Sequence, residues 1–493
     1  MPADFQPADD DGKRRRSALS PRRVLGAVAV IAFMTLAGLV LPRWIGARLA
    51  SQPPSVIFIL VDTLRADFLG AYGFAGPVSP NLDAFAGESV LFERAFAQAP
   101  WTKPSIASLF TSLQPDTHKV LSHGGKYGAG EDGGGTEALP AAAATLAESF
   151  QAAGYATAAY VANPWMLREH GFAQGFDVYD QRQGRLPPNA DALLRPARRW
   201  LAGRKPEQPY FLYLHFMDVH GPYLAPEEDY AAVRDSAGLG PSRELSDAEL
   251  SRLRPYLRRA PWVQGDEVRD LRTWRGRYAA GVHALDRQLG PFLDELARSG
   301  ALENTIVVVT ADHGEELADN GGWDHGFSLY EHQIRVPLLI RLPGREGGGR
   351  RVQEIASLID LMPTLLARGG VAAPATVQGH DLSPLLDAGA AEAVTDASFA
   401  SGVKWNPEMR SLRAPDWKLI RDARLGTAQL FDLQKDPHEQ SDLAPARPGE
   451  LERLEAQLAE HQSTLAALPS LATEQAEVSD EMKKRLEALG YAD

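Results

Sequence analysis

The chain has 493 residues, 44% hydrophobic and 23% charged, ordinary globular values that exclude a disordered or fibrous chain and leave room for one large or two to three smaller domains. It has no cysteine, which excludes disulfides, thiolate metal sites, cysteine nucleophiles and cysteine lipidation. The net charge is −13, and residues 1–50 hold eight basic and four acidic residues, leaving 43 against 60 (net −17) in residues 51–493; a body so acidic is a poor nucleic-acid binder, because phosphate contacts need basic patches.

Residues 24–41 read VLGAVAVIAFMTLAGLVL, eighteen residues without a charge. That is the lower limit for crossing a bilayer core of about 30 Å. Lys13, Arg14, Arg15, Arg16, Arg22 and Arg23 precede the run, and only Arg43 and Arg48 follow it closely. The positive-inside rule predicts a cytoplasmic basic tail over 1–23, a transmembrane helix over 24–41 and a linker over 42–54. The body is then periplasmic or otherwise extracytoplasmic, tethered to the cytoplasmic membrane. The competing readings are a cleaved signal peptide and a twin-arginine signal at Arg22–Arg23. The long apolar run and the weak cleavage site at Arg48–Leu49–Ala50 favour an uncleaved anchor.

Four continuous apolar runs follow: 55–61 (SVIFILV), 210–216 (YFLYLHF), 305–310 (TIVVVT) and 336–342. Such runs predict strands buried on both faces, as in a parallel sheet. Helical patterns lie between or after them, over 142–153, 278–298 and 355–368. Strands alternating with helices imply a doubly wound, mostly parallel α/β sheet, whose ligands bind beyond the carboxyl ends of strands. Three of the four runs lead to Asp or His: Asp62, then Asp218 and His220, then Asp312 and His313. Residues 124–135 are glycine-rich, lack the Lys-Ser/Thr ending of a phosphate loop and read as a mobile surface loop. Residues 227–274 are charged, interrupt the α/β rhythm and read as an insertion over the site. From about residue 400 short segments at 417–420 and 429–433 predict a small antiparallel sheet, with amphipathic helices over 451–465 and 477–489. The expected division is a catalytic domain over 55–400 and a C-terminal α+β subdomain with terminal helices over 401–493.

Asp62, Asp312 and His313 form the strongest constellation. Carboxylate oxygens and an imidazole nitrogen at strand ends suit one hard or borderline divalent cation. A single Asp at a strand end is equally a helix N-cap, but three such groups together point to a metal.

With these residues in view the sequence resembles the sulfatase family, within the alkaline-phosphatase-like superfamily. ILVDTLRADFLGAYG, from Ile59, is similar to the first metal motif. NLDAFAGESVLFERAFAQAPWTKPSIASLFTSLQPDTHKV is similar to the nucleophile region. LAESFQAAGYATAAYVAN, FLYLHFMDVHGPY, VTADHGEELADNGGWDHGFSLYEHQIRVPLLI and LIDLMPTLL follow in family order, and LFDLQKDPHEQSDLA, from Leu430, resembles the C-terminal signature. The resemblance implies an alkaline-phosphatase-like fold, with Asp62, Asp312 and His313 as metal ligands and Thr102 at the nucleophile position. It implies that His220, in HGPY, contacts the transferred group or the leaving oxygen, and that His325, in WDHG, is substrate-facing or an acid–base group. Arg65 and Asp67 brace the first motif. His118 and His215 are open between structural and functional roles.

The departures from the family pattern carry as much information. The usual nucleophile motif is Cys or Ser, any residue, Pro, any residue, Arg, with its first residue oxidised to formylglycine. Here the segment is Thr102-Lys103-Pro104-Ser105-Ile106, so Thr102 is no formylglycine precursor and Ile106 replaces the Arg. Lys103 supplies the missing cation if it turns inward, and is otherwise a solvated loop lysine. Ala162-Asn163-Pro164-Trp165 stands near where the family has a Gly-Lys-x-His segment. Thr63 stands where many members have a second metal-binding Asp. A threonine hydroxyl activated by a metal can form a phosphothreonine that water resolves at phosphorus. It cannot expel sulfate by re-forming a carbonyl, as a formylglycine hydrate does. Superfamily members with a nucleophilic Thr transfer phosphoryl-type groups, including polar lipid headgroups.

The expected function is a metal-dependent hydrolase of sulfate or phosphate esters, using Ca, Mg, Mn or Zn, with Thr102 as nucleophile and phosphoester chemistry favoured. The expected partner is an anionic ester substrate, glycan-borne or lipid-linked. The alternatives are a phosphoglycerol- or phosphoethanolamine-type transferase with a lipid donor, and an inactive sulfatase-like binding protein. The transferases usually have several membrane spans, and a scaffold has no need of metal ligands.

Overall fold

The computed structural model describes residues 52–121, 135–182, 189–387, 393–477 and 484. The predicted cytoplasmic tail and transmembrane span lie outside them, as does the glycine-rich stretch up to residue 134. Among the described residues no helix is long and apolar enough to cross a membrane. The described residues from 53 onward form one compact unit.

Eight strands build the main sheet: β1 (Ser55–Val61), β2 (Val90–Phe96), β3 (Ala156–Val161), β4 (Val178–Gln181), β5 (Tyr210–Phe216), β6 (Thr305–Thr310), β7 (Arg335–Arg341) and β8 (Arg351–Ser357), in the order β8-β2-β7-β6-β1-β5-β3-β4. Every residue of β1, β5 and β6 is buried. Both sheet faces are covered, which is why these strands lack alternation. Phe58 of β1 and Tyr213 of β5, side by side in register, pack with ring centroids 5.7 Å apart.

One strand departs from the parallel expectation. The fourth apolar run, as β7, is antiparallel to both β2 and β6. Between β6 and β7 the only helix is the single turn Glu331–Ile334. The chain therefore returns from the same end of the sheet, with no crossover to carry it back. Continuous burial is common to both directions, so the apolar run alone did not encode the choice.

The helix predicted over 355–368 also divides. Its first residues belong to β8, where Ile355, Ala356 and Ser357 pair with Arg94, Ala95 and Phe96 of β2. The α-helix begins at Leu361, after a turn in which the Asp360 carboxylate accepts from the Ser357 N–H at 2.7 Å. The helix predicted over 142–153 occupies Leu146–Ala152, and Thr145 starts it with a capping box completed by Glu148. The helix predicted over 278–298 starts earlier and spans Leu271–Arg298, capped by the Asp270 side chain accepting from the Arg272 N–H. The helix therefore begins inside the charged 227–274 segment.

The small antiparallel sheet is present: β9 (Ser398–Ala400), β10 (Met409–Arg413), β11 (Trp417–Asp422) and β12 (Thr427–Asp432). Ile420 and Phe431 of this sheet pack with Phe96, Leu329, Ile334 and Ile355, which ties it to the main-sheet edge. The helix Pro448–Ala467 follows. Of the helix expected over 477–489, Glu477 instead ends a short strand, Glu474–Glu477, paired with Gly135–Ala138; of the rest only residue 484 is described, and it is helical.

Candidate metal-centred active site

Parallel β1, β3, β5 and β6 end side by side, since Leu60 is in register with both His215 and Thr310, and His215 with Val161. The residues leaving these ends therefore converge. Asp62 follows β1, Asn163 lies just past β3, His215 is in the last turn of β5's pleat, and Asp312 with His313 follows β6. Thr102 opens the helix Thr102–Thr111, whose N-cap Trp101 provides no side-chain cap. Ser105 of that helix donates from its hydroxyl to the Asp312 carbonyl at 2.6 Å. Trp101 donates from Nε1 to the Gly402 carbonyl at 2.8 Å, so the C-terminal region also holds the helix start.

Asp62, Thr102, Asp312 and His313 are all fully buried. Thr102 Oγ1 lies 3.4 Å from both Asp62 Oδ2 and His313 Nε2. His313 Nε2 is 3.6 Å from Asp62 Oδ1 and 3.3 Å from Asp312 Oδ2. Those two carboxylate oxygens have no hydrogen-bond partner, a costly state unless a cation meets them. Asp312 Oδ1, in contrast, accepts from the backbone N–H of Thr63 and of His313. His313 Nδ1 is 2.9 Å from the Gly314 carbonyl, the tautomer that turns the Nε2 lone pair toward the carboxylates. The donor set thus fits a divalent cation. Burial pushes the His313 imidazole down to about 3, with the neighbouring His325 adding to it, so the ring is neutral, as a ligand must be. Burial, and next to it Asp62, pushes the Asp312 carboxyl well up. Burial raises Asp62 too, but the hydrogen bond from His215 and the nearby histidines outweigh it and hold that carboxyl below the usual range.

Thr63 turns the chain after Asp62 with φ 60°, a conformation that costs a β-branched residue about 1–3 kcal/mol. Its hydroxyl is committed to the Asp62 carbonyl at 2.7 Å, and its own carbonyl accepts from the Tyr278 hydroxyl at 2.7 Å. Arg65 donates to Asp67 and Asp319 and to the Glu315 carbonyl; the expected bracing role is what these contacts describe.

A second group adjoins the first. His325 Nδ1 lies 3.0 Å from Asp324 Oδ1 and 3.4 Å from Glu315 Oε1, all three residues being buried. The rings of His325 and His313 are 4.6 Å apart by centroid, and those of His325 and His220 5.0 Å. Burial alone would lower His325, yet Asp324 and Glu315 push it up to about 10. Burial lifts Glu315 to about 7, against the pull of His325. His220 has Nδ1 2.6 Å from the Gly221 carbonyl and is lowered by burial.

Lys103 is fully buried, which removes the solvated-loop alternative. Its ammonium donates to the Thr136 hydroxyl and lies over the Trp165 ring, 5.4 Å from the centroid. Burial, partly offset by Glu137, lowers it to about 7.

Sequence reasoning left Asn163 and His215 without roles, and passed over Glu315 and Asp324. Asn163 Nδ2 donates to Asp62 Oδ2 at 2.5 Å and to Thr102 Oγ1 at 3.3 Å. Its place just beyond a parallel strand was a usable signal. The 227–274 segment reaches this region through Tyr256, whose hydroxyl donates to Asp324 Oδ1 at 3.0 Å. Two surface cavities of about 480 and 580 Å³ share Arg275, Asp319, Glu439 and Gln440. Neither is lined by Asp62, Thr102, Asp312 or His313.

The profile of the family described as Sulfatase matches residues 54–371, more than half of the chain. The chain belongs to the sulfatase family. A second profile, the C-terminal part of N-sulphoglucosamine sulphohydrolase, matches residues 319–467. Family relatives include an ulvan-active sulfatase of Formosa agariphila, 27% identical over 428 residues that cover 79% of this chain and 77% of that protein. A choline-sulfatase of Rhizobium meliloti is 26% identical over 454 residues, covering 79% and 82%. Among solved structures, the phosphonate monoester hydrolase of Agrobacterium radiobacter shares the fold at a TM-score of 0.66 and 24% identity, covering 87% of this chain and 98% of that one. This sulfatase-family hydrolase therefore has the α/β architecture of those enzymes, with candidate acidic and histidine metal-binding groups.

Proposed function

We propose that the protein is a metal-dependent ester hydrolase that uses Thr102 as its nucleophile and acts on a phosphate-type ester in preference to a sulfate ester. The observation that carries this reading is the position of Thr102 Oγ1, 3.4 Å from both Asp62 Oδ2 and His313 Nε2, at the start of a ten-residue helix. A divalent ion held by Asp62, Thr102, Asp312 and His313 would supply Lewis acidity and neutralise charge on the transferred group. The helix N-terminus favours the same negative charge. Thr102 loses its hydroxyl proton to water as Oγ1 attacks phosphorus, the bond from Oγ1 to phosphorus forms, and the bond to the leaving oxygen breaks. The leaving oxygen takes its proton from His325, whose imidazole Asp324 and Glu315 keep protonated, with the His220 ring beside it. Water then attacks the phosphothreonine at phosphorus, which releases phosphate and restores the hydroxyl. Asn163 Nδ2, in contact with Thr102 Oγ1, steadies the nucleophile.

The substrate is an anionic ester, glycan-borne or lipid-linked, outside the cytoplasmic membrane, with residues 24–41 as anchor. The test is a panel of chromogenic sulfate, phosphate monoester, phosphodiester and phosphonate monoester substrates, run with Ca, Mg, Mn and Zn in turn. Acid-quenched enzyme should carry a phosphate-mass adduct on the peptide containing Thr102. Turnover of the sulfate ester alone, with no adduct, would refute the reading.

A further inference from the structure

We propose that Trp165 is a positioning residue for the nucleophile, steadied by Lys103 and His170 and acting through Asn163. The inference rests on the reading of Thr102 as the nucleophile. Asn163 Nδ2 donates to Asp62 Oδ2 at 2.5 Å and to Thr102 Oγ1 at 3.3 Å, while its Oδ1 accepts from the Trp165 backbone N–H at 2.7 Å. These contacts fix which way the amide faces. Turned over, it would set Oδ1 against the Asp62 carboxylate and its NH2 group against the Trp165 N–H. The hydrogen bond that reaches Thr102 Oγ1 therefore depends on where the Trp165 backbone sits. Pro164 joins the two residues by a stiff link, because its ring fixes its own φ and restricts Asn163 before it.

Trp165 is fully buried, and its neighbours hold both the ring and the peptide. The Lys103 ammonium lies 5.4 Å from the ring centroid and donates to the Thr136 hydroxyl. Thr136 stands opposite Ala476 in the short sheet formed by Gly135–Ala138 and Glu474–Glu477. The Trp101 ring meets the Trp165 ring edge-on, with centroids 6.0 Å apart. His170 Nδ1 lies 2.9 Å from the Trp165 carbonyl. Burial brings the His170 imidazole down to about 4, so the ring is neutral and Nδ1 carries the proton that the carbonyl accepts. Trp101 and Lys103 flank Thr102 in the chain, so the residues that grip the indole also carry the nucleophile. A cation over an indole, away from water, is among the stronger contacts of its kind.

Two roles for Lys103 differ in their kinetics. As a support of Trp165 it acts on Thr102 through Asn163, and its loss slows attack without weakening substrate binding. As a replacement for the arginine of the family motif it would hold the transferred group, and its loss would raise KM. The test uses the full-length chain at saturating divalent metal, on the chromogenic ester of the panel above that the parent turns over fastest. Trp165→Leu and Lys103→Met should each lower kcat by about 10–100-fold with KM unchanged, the range seen when supporting partners of a site are removed. The phosphate-mass adduct on the Thr102 peptide should form more slowly by the same factor in rapid quench. Trp165→Phe keeps an aromatic face under Lys103 and should retain most of the activity. Either variant combined with Asn163→Ala should be no slower than Asn163→Ala alone, because the residues act as one unit. Circular dichroism and metal content check that each variant folds with its ion, and Lys103→Met, close to lysine in shape, decides the outcome if Trp165→Leu does not fold. Parent kcat in a folded Lys103→Met or Trp165→Leu overturns the inference. So does a raised KM in Lys103→Met, or a loss that multiplies with that of Asn163→Ala. Thr102→Ala as fast as the parent overturns the nucleophile and this inference together, whereas an inactive Thr102→Ala beside a fully active Lys103→Met overturns this inference alone.

Discussion

His215 lies on β5 and Asp62 just past the end of the adjacent β1, and His215 Nε2 meets Asp62 Oδ2 at 3.1 Å, with both side chains wholly buried. The Tyr213 hydroxyl meets His215 Nδ1 at 3.1 Å, so the ring donates from Nε2 when the phenol donates to Nδ1. Oδ2 thereby takes hydrogen bonds from His215 and Asn163, and Oδ1 is left for a cation. Removing the donor as His215→Ala should weaken divalent-cation binding at Asp62, Asp312 and His313 by about 10–100-fold, as for outer-shell partners of other metal ligands. Chelator competition measures the affinity, and the far-ultraviolet spectrum should be unchanged. Parent affinity in this variant would show that the contact is packing alone.

Thr102 is the proposed nucleophile. Thr102→Ala should lower turnover on the best substrate by several orders of magnitude, because a covalent route loses its nucleophile. Thr102→Ser keeps the hydroxyl and should retain partial activity. Metal content should change less than activity, since Asp62, Asp312 and His313 remain. An alanine variant as fast as the parent would assign the attack to water.

Arg65 connects two elements through buried charge. It is bidentate on Asp67 and also donates to Asp319, with 6% of its side chain exposed against 16% for Asp319. Removing one partner of a buried pair strands the other, and Arg65→Ala should cost about 3–5 kcal/mol. Urea denaturation at neutral pH reads this directly.

The same cluster sets a pH dependence. Burial raises Asp319, but Arg65 more than reverses it and holds the carboxyl below its usual range. A depressed carboxylate stabilises the fold fully above its unfolded value of about 4 and loses that contribution as pH falls toward the folded value. The parent should therefore lose more stability than Asp319→Asn between about pH 6 and about pH 3. Equal losses in the two proteins, by urea midpoints, would place the acid sensitivity elsewhere.

Topology is tested separately. Six basic residues before residues 24–41 and two close after them predict that the body is extracytoplasmic. A reporter active only in the cytoplasm, fused after Asp493, should be silent. An active reporter would reverse the orientation.

The sequence by itself determined the strands that carry the site. Ser55–Val61, Tyr210–Phe216 and Thr305–Thr310 are continuous apolar runs, and their ends coincide with the strands β1, β5 and β6. Burial on both faces leaves a mark on every residue of such a strand, and the charged residue that follows marks the edge. Asp62, Asp312 and His313 were legible on that ground, as they are local to strand ends. Tertiary structure alone decided the direction of β7, the division of 355–368 into strand and helix, and the burial of Lys103 against Thr136 and Trp165. It also decided that Asn163, 101 residues from Asp62, and His215, 153 residues from it, would orient that carboxylate. Strand order and register bring these side chains together. Both are set by packing between distant segments, for which a local period in the sequence holds no record.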